Sequence, residues 1–124
     1  MAEYCAVVFH ASLTQEETRK IEMIQKTSLR VILGDMYVSY TAALEMCGLQ
    51  TLAERRQRRC LDFALKCVEN PKMERIFLLN QKTKAPDLRQ KEKFKVNFAS
   101  TTAYKNSAVP YCQRLLNQYY SGEV

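Results

Sequence analysis

Apolar residues recur at helical spacing along most of the chain. From Gln15 to Leu33 they make a stripe of Ile21, Ile24, Leu29, Val31 and Ile32, while Lys20, Glu22, Lys26 and Arg30 hold much of the other side. Thr14 precedes this run and Glu17 follows three residues later. That is capping-box spacing, in which hydroxyl and carboxylate each accept an orphan N–H of the first turn. Gly34 suits the left-handed exit of such a helix. Before it, Glu3 to His10 is too short and irregular for a strand, and it reads as the tail of a helix or a connector.

Ser39 or Tyr40 opens a short helix, TAALEMC, that stops at Gly48. Ala42 and Ala43 permit close approach there, and Leu49 can add the apolar contact that often follows a glycine stop. Thr51 and Glu54 repeat the capping-box spacing, so the next helix starts near Leu52 and runs to Glu69, where Asn70-Pro71 ends it. Pro71 fits the first turn of a further short helix, Lys72 to Leu79, with Met73, Ile76, Phe77 and Leu79 inward. Gln81 to Lys93 has little periodicity and reads as an exposed loop. Phe94-Lys-Val-Asn-Phe98 alternates strictly, the signature of a strand with Phe94, Val96 and Phe98 inward. A lone strand must pair or lie extended over helices. Ser107 and Pro110 open the last helix, with Tyr111, Leu115, Leu116 and Tyr119 apolar and Ser121-Gly122 at its end.

The pattern therefore predicts a mainly α single domain over 1–124, with about four to six helices. Residues 1–79 form a helical core, 80–106 a basic loop with one short extended segment, and 107–121 a C-terminal helix packed back.

Four arginines fall within five residues of the Leu52–Glu69 helix. At about 100° per residue, Arg55, Arg58 and Arg59 share a side with Asp62, Lys66 and Glu69. Arg56 lands instead between Phe63 and Cys67, on the apolar side. A buried, unpaired guanidinium costs several kcal/mol, so Arg56 is expected to find helix-end carbonyls or a carboxylate such as Glu45 or Asp35, as a structural clamp between helices.

Charge sharpens the picture. The net +6 is uneven: residues 1–79 carry 11 basic and 10 acidic side chains, residues 80–105 carry 7 and 2, and residues 106–124 one of each. A local excess of this kind attracts acidic partners such as nucleic acid; a solvated linker is the plainer account. Lys91, Lys93, Phe94, Lys95, Phe98, Tyr104 and Lys105 interleave cations with rings, the combination that binds single strands through phosphates and bases. A half-buried strand explains the same alternation without a ligand.

No apolar run approaches the length of a membrane span, and neither a basic lead-in nor a long apolar core marks a signal peptide, so an intracellular protein without membrane contact is expected. Of five cysteines, Cys47, Cys60, Cys67 and Cys112 stand among apolar neighbours, which suits buried reduced thiols. Cys60 and Cys67 are too far apart to chelate as a pair, no CxxC occurs, and no zinc site or other metal or cofactor is expected. Gly34, Gly48 and Gly122 are isolated, so a phosphate-binding glycine loop is absent. Glu16 and Glu17 suit the positive end of a helix dipole. The single histidine, His10, is not at helical spacing from Cys5. A thiol enzyme built on that pair is the least supported of the function classes, and no catalytic residue is assigned.

The order of short segments resembles one family. Glu3-Tyr4-Cys5, Val8-Phe9-His10 and Ser12-Leu13-Thr14 are followed by Ile24-Gln25-Lys26, the Ser39-Tyr40…Ala43-Leu44 helix with Gly48-Leu49, and Leu52-x-x-Arg55-Arg56. Tyr104-Lys105-Asn106-Ser107, Pro110 and Arg114-Leu115-Leu116-Asn117 complete the series. It is similar to the C-terminal region, beyond the thumb, of reverse transcriptases of non-LTR retrotransposons. Phe9 stands where that family usually has Trp. The family's metal-binding aspartates lie in an upstream palm with no counterpart here, so the resemblance implies no catalytic residue. It implies a region that helps hold template and primer, and Met1-Ala2 suggests a chain that begins inside the family's reading frame.

Two expectations follow. The first is a non-enzymatic module with residual affinity for RNA or DNA, using Arg55, Arg58, Arg59, Lys91, Lys93 and Lys95 as phosphate contacts. The alternative is an interaction domain that buries an apolar helix face against a protein partner or its own copy, with no nucleic-acid role.

Overall fold

A computed structural model describes residues 4–73, 75–77 and 93–123. Six α-helices lie among them: α1 (Ala6–Phe9), α2 (Gln15–Leu33), α3 (Tyr40–Cys47), α4 (Leu52–Glu69), α5 (Thr102–Lys105) and α6 (Ala108–Ser121). The chain folds as a small all-α domain in which α6 packs back on earlier helices. Three-residue 3₁₀ turns follow α1, α2 and α4.

Both capping boxes form. Thr14 N–H donates to Glu17 Oε2 at 2.8 Å while Thr14 Oγ1 accepts from Glu17 N–H at 3.2 Å. At α4 the same reciprocal pair joins Thr51 and Glu54. Gly48 ends α3 in the left-handed region at φ 63°, and the bonds Gly48 N–H to Glu45 O and Leu49 N–H to Leu44 O close a Schellman motif. The Leu49 side chain nevertheless remains 42% exposed.

Helix α4 is the hub, packing against α1, α2 and α6. Its buried strip is Leu52, Arg56, Cys60, Ala64 and Cys67. With Cys112 and Leu116 of α6, and with Phe77 and Phe94 from the flanking segments, Ala64 and Cys67 make the larger core. A smaller cluster of Leu29, Ala43 and Leu44 joins α2 to α3. The Glu22 carboxylate ties the two regions: Oε1 accepts from the Tyr40 hydroxyl and, at 3.1 Å, from Leu52 N–H, an orphan donor in the first turn of α4. Burial and that bond to Glu22 raise the Tyr40 phenol well above its ordinary pKa.

Several expectations need correction. The predicted stripe of α2 does not point inward: Leu29 is buried, but Ile24, Val31 and Ile32 are 59%, 77% and 73% exposed. The helix turns Glu22 and Gln25 toward its neighbours to serve hydrogen bonds, and Ile24 then lies about 140° from Leu29. Where a helix from Lys72 to Leu79 was expected, the described residues show a 3₁₀ turn, Pro71–Met73, and no helix at 75–77; Leu79 lies outside the described residues. Phe77 is buried there and Met73 packs against the core, whereas Ile76 is at the edge of exposure. Cys47 is exposed at the end of α3, unlike the buried Cys60, Cys67 and Cys112. Tyr119 is also exposed, and α5 lies in a stretch expected to be loop.

Candidate nucleic-acid interface

Residues 93–98 run extended along α6 and are pinned to it by amide side chains. Asn117 Oδ1 accepts from Phe94 N–H at 2.7 Å, and Asn117 Nδ2 donates to Phe94 O at 2.9 Å. One turn back, Gln113 Oε1 accepts from Asn97 N–H at 2.9 Å, while Gln113 Nε2 donates to Ile76 O at 2.7 Å. Two amide side chains of α6 thus tie down this segment, in which Phe94 also stands in a β-bridge. The side chains of α6 sit at helical rather than strand spacing, so the alternation survives only in part. Phe94 is buried and Val96 half-buried, but Phe98 is 91% exposed, contrary to the inward position expected for it.

This geometry places a cation among rings. Lys93 Nζ lies 3.6 Å from the centroid of the Tyr120 ring and 5.9 Å from that of Phe94. Tyr120 tilts against Phe94 at 5.6 Å and meets Tyr119 edge-on at 5.4 Å. Lys95 is exposed, as is Phe98, and Tyr104 accepts from Asn97 Nδ2 at 3.3 Å. Lys91 lies outside the described residues. Tyr119 was expected on the apolar face of the last helix, and Tyr120 was not singled out. Two adjacent tyrosines in the last turn of a helix were the available signal, but only the fold brings Lys93 over one of them.

The arginines occupy a different element. Arg58 and Arg59 are exposed on α4 and Arg55 is half-buried. Arg59 lines a cleft of about 310 Å³ between α1 and α4 with Cys5, Ala6, Asp62, Phe63 and Lys66. Lys93 and Lys95 belong instead to the segment along α6, so the five candidate contacts among the described residues divide between α4 and that stretch.

Arg56 is 0% exposed, on the inward strip of α4. Its expected acceptors do not materialise: Nε, Nη1 and Nη2 have no hydrogen-bond partner among the described residues, and Asp35 and Glu45 are exposed on other elements. His10 lies near enough to feel the guanidinium. Burial, and then the charge of Arg56, hold its imidazole below the ordinary value of 6.5. The ring meets Tyr111 edge-on at 5.5 Å, and Nδ1 is buried without a partner.

A pH dependence follows. The folded state binds the His10 proton less readily than the unfolded chain, so stability is complete above about pH 6.5 and falls as the pH drops through the lowered folded value. Urea denaturation from pH 7.5 to 5 in oxyanion-free buffer should show this loss, and His10→Gln should remove that component.

The buried thiols are poor nucleophiles. Burial raises Cys67, and pushes Cys60 and Cys112 up to about 11 and about 12. Among the described residues, all five cysteines are free, no group of His, Cys, Asp or Glu could hold a metal ion, and no helix is long and apolar enough to cross a membrane. No family model, curated protein or solved structure matches the chain.

Proposed function

We propose that this chain is a non-catalytic helical module that binds single-stranded RNA or DNA along the extended segment and the end of α6. The observation that carries the reading is Lys93 seated over the exposed Tyr120 ring, with Lys95 and the open Phe98 ring on the same short segment. Cations supply salt-sensitive phosphate attraction and free rings supply stacking that any base can use. The resemblance to the end of a retrotransposon reverse transcriptase supports it, since such a region would lie beside template and primer. Arg55, Arg58 and Arg59 would extend the contact over α4.

Anisotropy with a labelled oligouridylate tests the proposal. Affinity should fall with salt at a slope of about −0.7 per phosphate neutralised. The double variant Lys93→Ala/Lys95→Ala should flatten that slope by about 1.4, and Phe98→Ala should weaken binding at every salt concentration without changing it. Binding that ignores salt, or no binding at low salt, refutes the reading.

One observation favours the alternative of an interaction domain. Met23, Ile24, Val31 and Ile32 line an open groove of about 620 Å³ on the outer side of α2. Light scattering across a concentration series would reveal association through that face, and Val31→Glu would abolish it.

A further inference from the structure

A guanidinium carries five N–H donors in a planar fork and stays protonated in proteins. Arg56 holds that fork wholly inside the domain, with all three nitrogens lacking an acceptor among the described residues. The described residues shown beside it carry no negative charge. They are the His10 ring from the 3₁₀ turn, the Cys60 thiol from its own helix, and beside them Tyr111 and Cys112 of α6. Burial raises both thiols and the Tyr111 phenol, so all three stay protonated at neutral pH. His10 Nδ1 is a second buried polar atom without a partner. Asp62 in the neighbouring cleft is exposed, and Arg59 and Lys66 line the same cleft. A lone buried cation is strongly unfavourable, and replacement by an apolar side chain of similar length would relieve that cost.

We infer that the interior between α1, the following 3₁₀ turn and α4 is a site for one oxyanion, a carboxylate or phosphate, gripped by the Arg56 fork and by His10 Nδ1–H. Planar, two-pronged recognition of this anion class is what a guanidinium does best. The cleft beneath α1 is the route in. It lies on the strip of α4 next to Arg56, about 60° round the helix at Arg59. The cover is slight. Helix α1 is four residues long, and its N-cap is Cys5, a non-glycine residue in the left-handed region at φ 53°. The site is separate from the Lys93–Tyr120 surface.

Thermal unfolding of the full chain tests this, with sodium phosphate and sodium acetate as probes at ionic strength held constant with sodium chloride. At a probe concentration a hundredfold above its Kd, the parent's Tm should rise by about 5–10 °C. Arg56→Met should show no such rise, and in oxyanion-free buffer it should be at least as stable as the parent. Arg56→Lys, which keeps the charge but loses the fork, should need at least about tenfold more probe for the same shift. A response to phosphate identifies a free phosphate as the natural ligand; a response to acetate alone identifies a carboxylate, as an acidic side chain of a partner would present. Equal shifts in parent and Arg56→Met, or none in the parent, overturn the inference. So does an Arg56→Met chain that is unfolded where the oxyanion-free parent is folded, because the guanidinium would then be satisfied within the protein. Broadening of the phosphate ³¹P resonance by the parent, relieved by acetate, reads the same site without any variant, and an unbroadened line with no acetate shift counts against it.

Discussion

Phe94→Ala is expected to lower the free energy of unfolding by about 3–5 kcal/mol, the range for emptying a buried aromatic site. Phe94 is buried in the core that joins α4 to α6, against Ala64, Cys67, Phe77 and Leu116. Both of its backbone polar groups are held by Asn117. The ring is therefore the one large apolar anchor of a segment otherwise tied down by amides. Its loss opens a cavity where α6 has little freedom to collapse, since Cys112 and Leu116 of that helix are committed to the same core. Urea denaturation gives the size of the effect. A second consequence separates this variant from an ordinary core deletion. Lys93 is no longer held against Tyr120, so oligonucleotide affinity should fall under conditions where the variant is still folded. A drop of less than about 1 kcal/mol would mean that the segment is not anchored through this ring.

Gln113→Leu should cost about 2–3 kcal/mol, although leucine is similar in size and more apolar. Gln113 is buried, and its amide joins two segments that are distant in sequence by donating to Ile76 O and accepting from Asn97 N–H. Leucine leaves both backbone groups without that partner at the edge of the core, and each such loss costs about 1–3 kcal/mol, less where water can reach. Hydrogen exchange offers a local check. The Asn97 amide should lose its protection in the variant, while amides in the middle of α2 keep theirs. Unchanged exchange at Asn97 would refute the assignment of Gln113 as the tie.

Local features of the helices were legible in the sequence because their causes are local. Thr14 with Glu17 and Thr51 with Glu54 carry the whole of a capping box within four residues, and both starts form as read. Gly34, Gly48 and Gly122 mark the ends because left-handed backbone suits a residue without Cβ. The inward position of Arg56 also came from spacing alone, since its place relative to Cys60 and Cys67 is fixed by helical geometry.

Reading failed where a residue's fate depends on something far along the chain. The apolar positions of α2 admitted two faces, and periodicity could not say which one meets α3 and α4. The carboxylate of Glu22, needed at the start of α4, helps to fix the rotation and leaves Ile24 and Val31 outside. Phe98 alternates with Phe94 and Val96, yet its neighbour is a helix whose side chains do not repeat every second residue. Glu45 and Asp35, the carboxylates expected for Arg56, are exposed on other elements, which spacing along α4 could not reveal.

What the chain determines by itself is the set of helices, their caps, the positive charge gathered after Asn80, and the strip of α4 that turns inward. Each rests on bonds or spacings within a few residues, and those persist whatever the rest of the molecule does. Tertiary structure alone decided which side of α2 is left open, that amide side chains of α6 tie down the segment around Phe94, that Lys93 meets Tyr120, and that a guanidinium is enclosed with no carboxylate bonded to it among the described residues. These depend on side chains separated by tens of residues, and on the single arrangement of α4 against α1, α2 and α6 that packs them all.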